Sequence, residues 1–306
     1  MKLERMGVAR GAVLALCVLL SAVAAEAAAP ALTERDANVE GLMMHYLTAG
    51  SGPAVLLLHG YTQTSRMWRP LIPRLADHFT VVAPDLPGIG DSDVPASGLD
   101  MKAAAIRVHA LVKSLGVNQA RVVGHDIGLM VAYAYAALYP AETERLAVLD
   151  AFLPGVADWE VVYNTPRLWH FRFTGPTPEA LVEGREDTYF AFFWNELAAD
   201  QARSLPDADR KAYVAAYSRP GRMRAGWEYF KGFQATAKDF AELAKTPLRI
   251  PVLTIGGDKS LGQYLGGQMK AVAPDVRSVV LSDTGHWVME ERPAETMAAL
   301  QKFLEE

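Results

Sequence analysis

The stretch Arg121-Val-Val-Gly-His-Asp-Ile-Gly-Leu-Met-Val-Ala-Tyr-Ala-Tyr-Ala-Ala-Leu-Tyr-Pro140 constrains this chain more than any other. It opens on a short β-favouring run with Val122 and Val123 and passes through Gly124-x-Asp126-x-Gly128. It then becomes an Ala-rich helix that stops near Pro140. So short a passage from strand to helix demands a very sharp turn. Glycines flank the middle residue because larger side chains there would clash with the strand and helix beside them. The turn pushes the Asp126 side chain into the open at the N-terminus of a helix. Free N–H groups and positive potential at that end favour a carboxylate.

An aspartate in this place sets the chemistry. An ionised carboxylate needs no base to become a nucleophile. It is too weak to attack an amide, but it can displace a leaving group from a saturated carbon. The product is an alkyl ester of the protein, which water must then cleave. The plainer reading makes Asp126 a helix N-cap, a common role for aspartate.

The chain has 306 residues and a net charge of −5, which suits one large α/β domain or one with an inserted subdomain. No Lys/Arg run or basic patch supports nucleic-acid binding. Residues 1–28 differ from the rest. Lys2, Arg5 and Arg10 precede an apolar run from Gly11 to Ala25, and Ala25-Glu26-Ala27 fits a cleavage site. This reads as a signal peptide that exports the protein to a periplasm or the medium. The apolar run, about 15 residues, falls short of the roughly 20 that span a bilayer, so no stable membrane anchor is expected. The single cysteine, Cys17, lies inside that segment, so the processed chain would have no thiol chemistry. The sequence sets no oligomeric state and allows a homodimer.

Glu40 to Thr48 reads as a strand after a turn at Gly41. Ala54-Val-Leu-Leu-Leu-His59 is a continuous apolar run, as in a strand buried on both faces of a parallel sheet. Phe79 to Pro84, Leu146 to Asp150, Pro251 to Gly256 and Arg277 to Leu281 read as further strands. Met101 to Leu115 and Ala294 to Leu304 read as helices. Alternating strands and helices imply an α/β fold with a mostly parallel sheet flanked by helices. The alternation breaks between about Pro154 and Lys245, where helical spacing and aromatics dominate. The expected organisation is a core over 35–153 and 246–306 with a helical cap inserted over 154–245.

Three places should converge on Asp126. The backbone N–H of Tyr61, after His59-Gly60, can pair with that of Ile127 to form an oxyanion hole. His286, in Asp283-Thr-Gly-His286-Trp287, follows the last strand and would activate water against the ester. Two acids end core strands and could orient His286. Asp150, 24 residues past Asp126, is preferred, and Asp258 in Gly256-Gly257-Asp258 is the alternative. Taken singly, His59-Gly60 reads as an ordinary strand-to-loop turn, His286 as a surface residue and each acid as a loop cap.

The Gly124-His-Asp-Ile-Gly128 turn resembles the nucleophile elbow of α/β-hydrolases, with aspartate in the usual place of serine. From about residue 35 to 306 the chain is similar to the epoxide hydrolase and dehalogenase group of that fold. Within the group it looks most like secreted Cif-type epoxide hydrolases. The stretches that carry the resemblance include His59-Gly-Tyr-Thr-Gln-Thr, Ala83-Pro-Asp-Leu-Pro-Gly-Ile-Gly, Leu168-Trp-His-Phe, Trp227-Glu-Tyr-Phe, Ala241-Glu-Leu-Ala-Lys and Gly285-His-Trp. In the Cif type an acid 24 residues past the nucleophile orients the base, as Asp150 would. Many other epoxide hydrolases use the position that matches Asp258.

The resemblance also implies donors in the cap, because an alkoxide leaves poorly without one. Cif-type enzymes use a histidine and a tyrosine. His170 matches the histidine, with a core histidine wedged between Trp169 and Phe171 as the plainer reading. The tyrosine position falls on Phe230, which cannot donate. Tyr229 sits one residue earlier and would point about 100° away on a helix. Trp169, Phe230 and Trp287 are expected against the substrate. Haloacetate dehalogenases place arginines just after the nucleophile, where this chain has Ile127 and Met130. Haloalkane dehalogenases usually have tryptophan where Ile127 stands.

The expected activity is opening of small, largely apolar epoxides to vicinal diols, with no cofactor or metal. The alternative is a dehalogenase using the same Asp126 and His286. A hydrolase-fold binding protein is the non-enzyme reading, and an intact Asp126/His286 pair argues against it.

Overall fold

A computed structural model describes residues 31–306. The expected signal segment, with Cys17, lies outside the described residues. Among the described residues eight strands form one sheet: β1 Thr33–Val39, β2 Leu42–Ala49, β3 Ala54–Leu58, β4 Thr80–Pro84, β5 Ala120–His125, β6 Thr143–Leu149, β7 Val252–Gly257 and β8 Val276–Leu281. Their order is β1-β2-β4-β3-β5-β6-β7-β8. The pairs β1–β2 and β2–β4 are antiparallel, and every other pair is parallel.

The continuous apolar strands are buried on both faces because side chains alternate across the sheet. In β3, Leu56 and Leu58 join one core cluster while Val55 and Leu57 join the other. The first cluster packs against the helices Met101–Ser114 and Ile127–Leu138. The second packs against Leu71 to Leu75 and the C-terminal helix Pro293–Glu305. Burying one such side chain is worth about 1.5–3 kcal/mol, so a one-residue slip of β3 would exchange two matched sets of contacts.

β1 went unanticipated. It is a mostly exposed edge strand with the sequence Thr-Glu-Arg-Asp-Ala-Asn-Val, and it pairs with β2 along its whole length. Nothing in that polar sequence alternates. Its backbone hydrogen bonds to β2 hold it in place, and its charged side chains suit an edge.

Between β6 and β7 the described chain forms helices and turns without a strand. Its longer helices are Glu186–Glu196, Asp207–Tyr217, Arg222–Lys231 and Phe233–Leu243. This segment meets the loops at the C-terminal ends of the strands. Trp194 Nε1 donates to Thr62 Oγ1 at 3.0 Å after β3, and the His286 N–H donates to the Leu197 carbonyl at 2.8 Å after β8. Most of its aromatics pack on one another, as in Trp227–Tyr189 and Phe190–Tyr217. The last helix lies back on the core, with Phe240 edge-on to Tyr133. No helix among the described residues is long and apolar enough to cross a membrane.

Candidate active site

The turn after β5 has the geometry its glycines imply. Asp126 sits at φ 53° and ψ −122°, a conformation costly for a residue with a Cβ. A Cβ on Gly124 would lie 2.2 Å from the Gly128 carbonyl oxygen, and one on Gly128 would lie 2.4 Å from that of Leu58. Both glycines are needed for close approach. Asp126 occupies the N-cap position of the helix Ile127–Leu138, yet its side chain makes no capping bond. The carboxylate turns elsewhere: Oδ1 accepts from the Tyr61 N–H at 2.8 Å, and the Ile127 N–H also faces it. Burial raises its pKa, against the pull of His286 and these two amides.

His286 stands beside it. Its Nε2 is 3.6 Å from Asp126 Oδ2, too far for a hydrogen bond, and its Nδ1 is 3.0 Å from Asp150 Oδ2. Burial alone would lower the His286 pKa. The hydrogen bond to Asp150 and the charges of Asp126 and Asp150 outweigh it, so the net shift is upward. Asp150 is fully buried and itself held, because Oδ1 accepts from the Gly257 and Leu261 N–H groups at 3.1 and 3.2 Å. Gly256 makes room for it: a Cβ there would come within 2.7 Å of Asp150 Oδ1.

Asp258 does not reach His286. Its carboxylate accepts from the Thr284 N–H at 3.1 Å and lies 3.5 Å from the Lys259 ammonium. The bond to Thr284 holds its pKa down. It braces the loop that carries His286 and leaves the ring to Asp150.

These three groups open into a cavity of about 380 Å³. Met130, Phe152, Phe171 and Phe230 give it apolar walls, and His170 reaches it from the helical side. His170 is buried, and burial, with the nearby His286, lowers its pKa to about 3. It is therefore neutral near pH 7, and its Nδ1 has no hydrogen-bond partner among the described residues. Tyr229 does not line the cavity. Its hydroxyl donates to the Pro87 carbonyl at 2.9 Å, which turns it away, as the helical rotation from Phe230 requires. Neither Trp169 nor Trp287 lines the cavity. Trp169 lies at the surface against Phe173 and Phe192, and Trp287 is buried with Nε1 donating to the Phe193 carbonyl.

Some supporting residues escaped the sequence reading. Glu291 accepts from the N–H groups of Ala199, Gly285 and Trp287, tying the His286 loop to the helical segment. His125 Nε2 donates to the His286 carbonyl at 3.0 Å. Gln63 Nε2 donates to Glu290 at 2.7 Å and links the Tyr61 loop to the turn after His286. His125 had one signal, its place directly before Asp126. The glutamates had none, since they bind backbone N–H groups or residues distant in sequence.

An elbow aspartate, a strand-end acid and a last-loop histidine on such a sheet define an α/β hydrolase. A family model for the alpha/beta hydrolase fold matches residues 53–293. A soluble epoxide hydrolase of Corynebacterium sp. (strain C12) is 35% identical over 280 residues, covering 89% of this chain and 97% of that protein. A fluoroacetate dehalogenase of Burkholderia sp. is 28% identical over 287 residues, covering 88% and 93%. The crystal structure of the Cif epoxide hydrolase from Acinetobacter nosocomialis superposes with a TM-score of 0.82 at 23% identity, covering 89% of each chain, which shows a shared fold. The chain belongs to the alpha/beta hydrolase fold family and is a hydrolase.

Proposed function

We propose that this hydrolase opens small, largely apolar epoxides to vicinal diols through an ester on Asp126. One observation carries the reading: the Asp126 carboxylate lies between the Tyr61 N–H and His286 Nε2 and faces an apolar cavity. An Asp126 oxygen bonds to a ring carbon as the carbon–oxygen bond of the epoxide breaks. The neutral His170 steadies the released alkoxide by a hydrogen bond, and the alkoxide takes its proton from water. Neutral His286, oriented by Asp150, then removes a proton from a second water, which attacks the ester carbonyl. The Tyr61 and Ile127 N–H groups hold the resulting oxyanion. The acyl–oxygen bond breaks, the diol leaves with the proton from His286, and the Asp126 carboxyl gives its proton to the hydroxide left by the first step, which restores the carboxylate. The named activity of the Corynebacterium relative supports the reading.

Halide displacement by the same Asp126 and His286 is the second reading. The cavity favours it in one respect: Phe230 stands where a tyrosine would donate, and a halide leaves without a proton. Export after cleavage near residue 28 belongs to the same proposal and rests on the N-terminal sequence alone.

The test is a single turnover in ¹⁸O-water with enzyme in excess. The first-turnover diol should carry mostly unlabelled oxygen, and Asp126 should acquire the label. Full labelling of that diol would mean direct attack by water and would end the proposal. Diol and halide assayed side by side on matched substrates decide between the two readings.

A further inference from the structure

The cavity has a polarity along its depth. Phe230, Phe152 and Met130, at its floor and walls, are 2% exposed or less. At its outer edge stand Arg167 and Lys259, both exposed. Among the described residues they are the only lysine or arginine side chains that line it. Arg167 makes no ion pair or side-chain hydrogen bond among the described residues, and Lys259 meets Asp258 only at 3.5 Å. The two come from different parts of the chain. Arg167 lies in the turn of helix Pro166–Arg172 that carries His170, and Lys259 follows β7.

The acids Asp126 and Asp150 line the same cavity, Asp150 fully buried and Asp126 partly so. A ligand with an anion and an apolar body therefore has one favourable orientation, with the anion at the rim and the body along the wall. A short haloacid cannot use it, because its carboxylate adjoins the reacting carbon and would need cations beside Asp126. Ile127 and Met130 occupy that ground, buried.

We propose that Arg167 and Lys259 select amphiphilic substrates, holding a terminal carboxylate at the rim while the apolar body brings the reacting carbon to Asp126. The inference rests on the reading above that Asp126 attacks carbon. The carboxylate would bridge the helical segment and the sheet. Exposed ion pairs are weak and screened by salt, so the selection is modest, about five- to tenfold.

The probe is the terminal epoxide of undecanoate set against its methyl ester. The wild-type kcat/KM should favour the carboxylate about five- to tenfold, mostly through KM, and the ratio should shrink in concentrated salt. In the double variant Arg167→Ala/Lys259→Ala it should fall to about one, and Arg167→Glu/Lys259→Glu should invert it. Equal kcat/KM for the two substrates in the wild type overturns the proposal, as does a preference that survives the double alanine variant. A second measurement needs no turnover. Undecanoate should bind Asp126→Asn more tightly than undecanol by calorimetry, and adding the two alanine changes should remove the difference. If neither epoxide is opened, the epoxide reading fails while calorimetry still decides the rim. No difference between undecanoate and undecanol then overturns the rim proposal by itself.

Discussion

The two walls of the cavity are built on opposite terms. On the sheet side the polar groups are held by several partners: Asp126 by backbone amides, Asp150 by two N–H groups and His286, and His286 by Asp150. On the helical side the lining is mostly aromatic and aliphatic, and His170 keeps an unpartnered Nδ1. A satisfied polar cluster is rigid, because moving any member leaves a buried group unpaired. An aromatic wall loses far less when it shifts. The sheet wall is therefore suited to hold the reacting groups, and the helical wall to set which substrate fits.

The largest effect should come from breaking the sheet wall at its base. His286→Gln is expected to form the ester and fail to hydrolyse it, lowering turnover by about 10³-fold or more. Mass spectrometry of the intact protein should show a persistent gain equal to the substrate. Normal turnover would remove His286 from the second step.

Next in size is the contrast between the two acids. Asp150→Asn should cost about 10²-fold or more, since it disturbs the orientation and charge support of His286. Asp258→Asn should cost less than about tenfold, because its carboxylate bonds the loop and leaves the ring alone. Steady-state kcat on one substrate separates them, and equal losses would break the assignment.

On the helical wall, His170→Phe should slow epoxide opening by about 10²-fold, the size of one lost electrostatic stabiliser. Halide release should suffer much less. Phe230→Tyr would add a donor to the cavity and should raise epoxide turnover a few-fold with little change for halides. If Tyr229→Phe abolished epoxide activity instead, that helix would have to turn in the working enzyme.

The smallest effect is a shift in the pH profile. His286 acts as a base only when neutral, and its pKa is raised. Activity should therefore fall as pH drops through a value above the ordinary 6.5 for histidine. Asp150→Asn removes a charge and weakens the hydrogen bond that raise it, so the limb in kcat should move to lower pH. His170, with a pKa near 3, stays neutral across that range, and His170→Phe should leave the limb in place. A limb that moved with His170 would mean that it titrates in the cycle.

Much of this was legible in the chain, for reasons that can be named. β3 announced itself because five consecutive apolar residues fit a strand covered on both faces. Gly124 and Gly128 announced the turn because they sit two residues either side of Asp126, and a side chain at either would strike backbone. β1 stayed hidden because its place depends on pairing with β2. Trp169 and Trp287 were also expected against the substrate. Adjacent residues on a turn or helix point in different directions, and both rings pack elsewhere.

The sequence by itself determined the strand–turn–helix at Asp126, the apolar strands and the candidacy of His286, because each depends on sterics or periodicity within a few residues. It left two acids for one histidine and two aromatic residues for one donor position. Only the tertiary structure decided these. Asp150 meets His286 because the loops after β6 and β8 converge above Gly256, while Asp258 is turned to Thr284. Phe230 faces the cavity and Tyr229 faces Pro87 because helix packing sets the rotation of Arg222–Lys231. Such choices depend on contacts between segments far apart in the chain, and no local pattern encodes them.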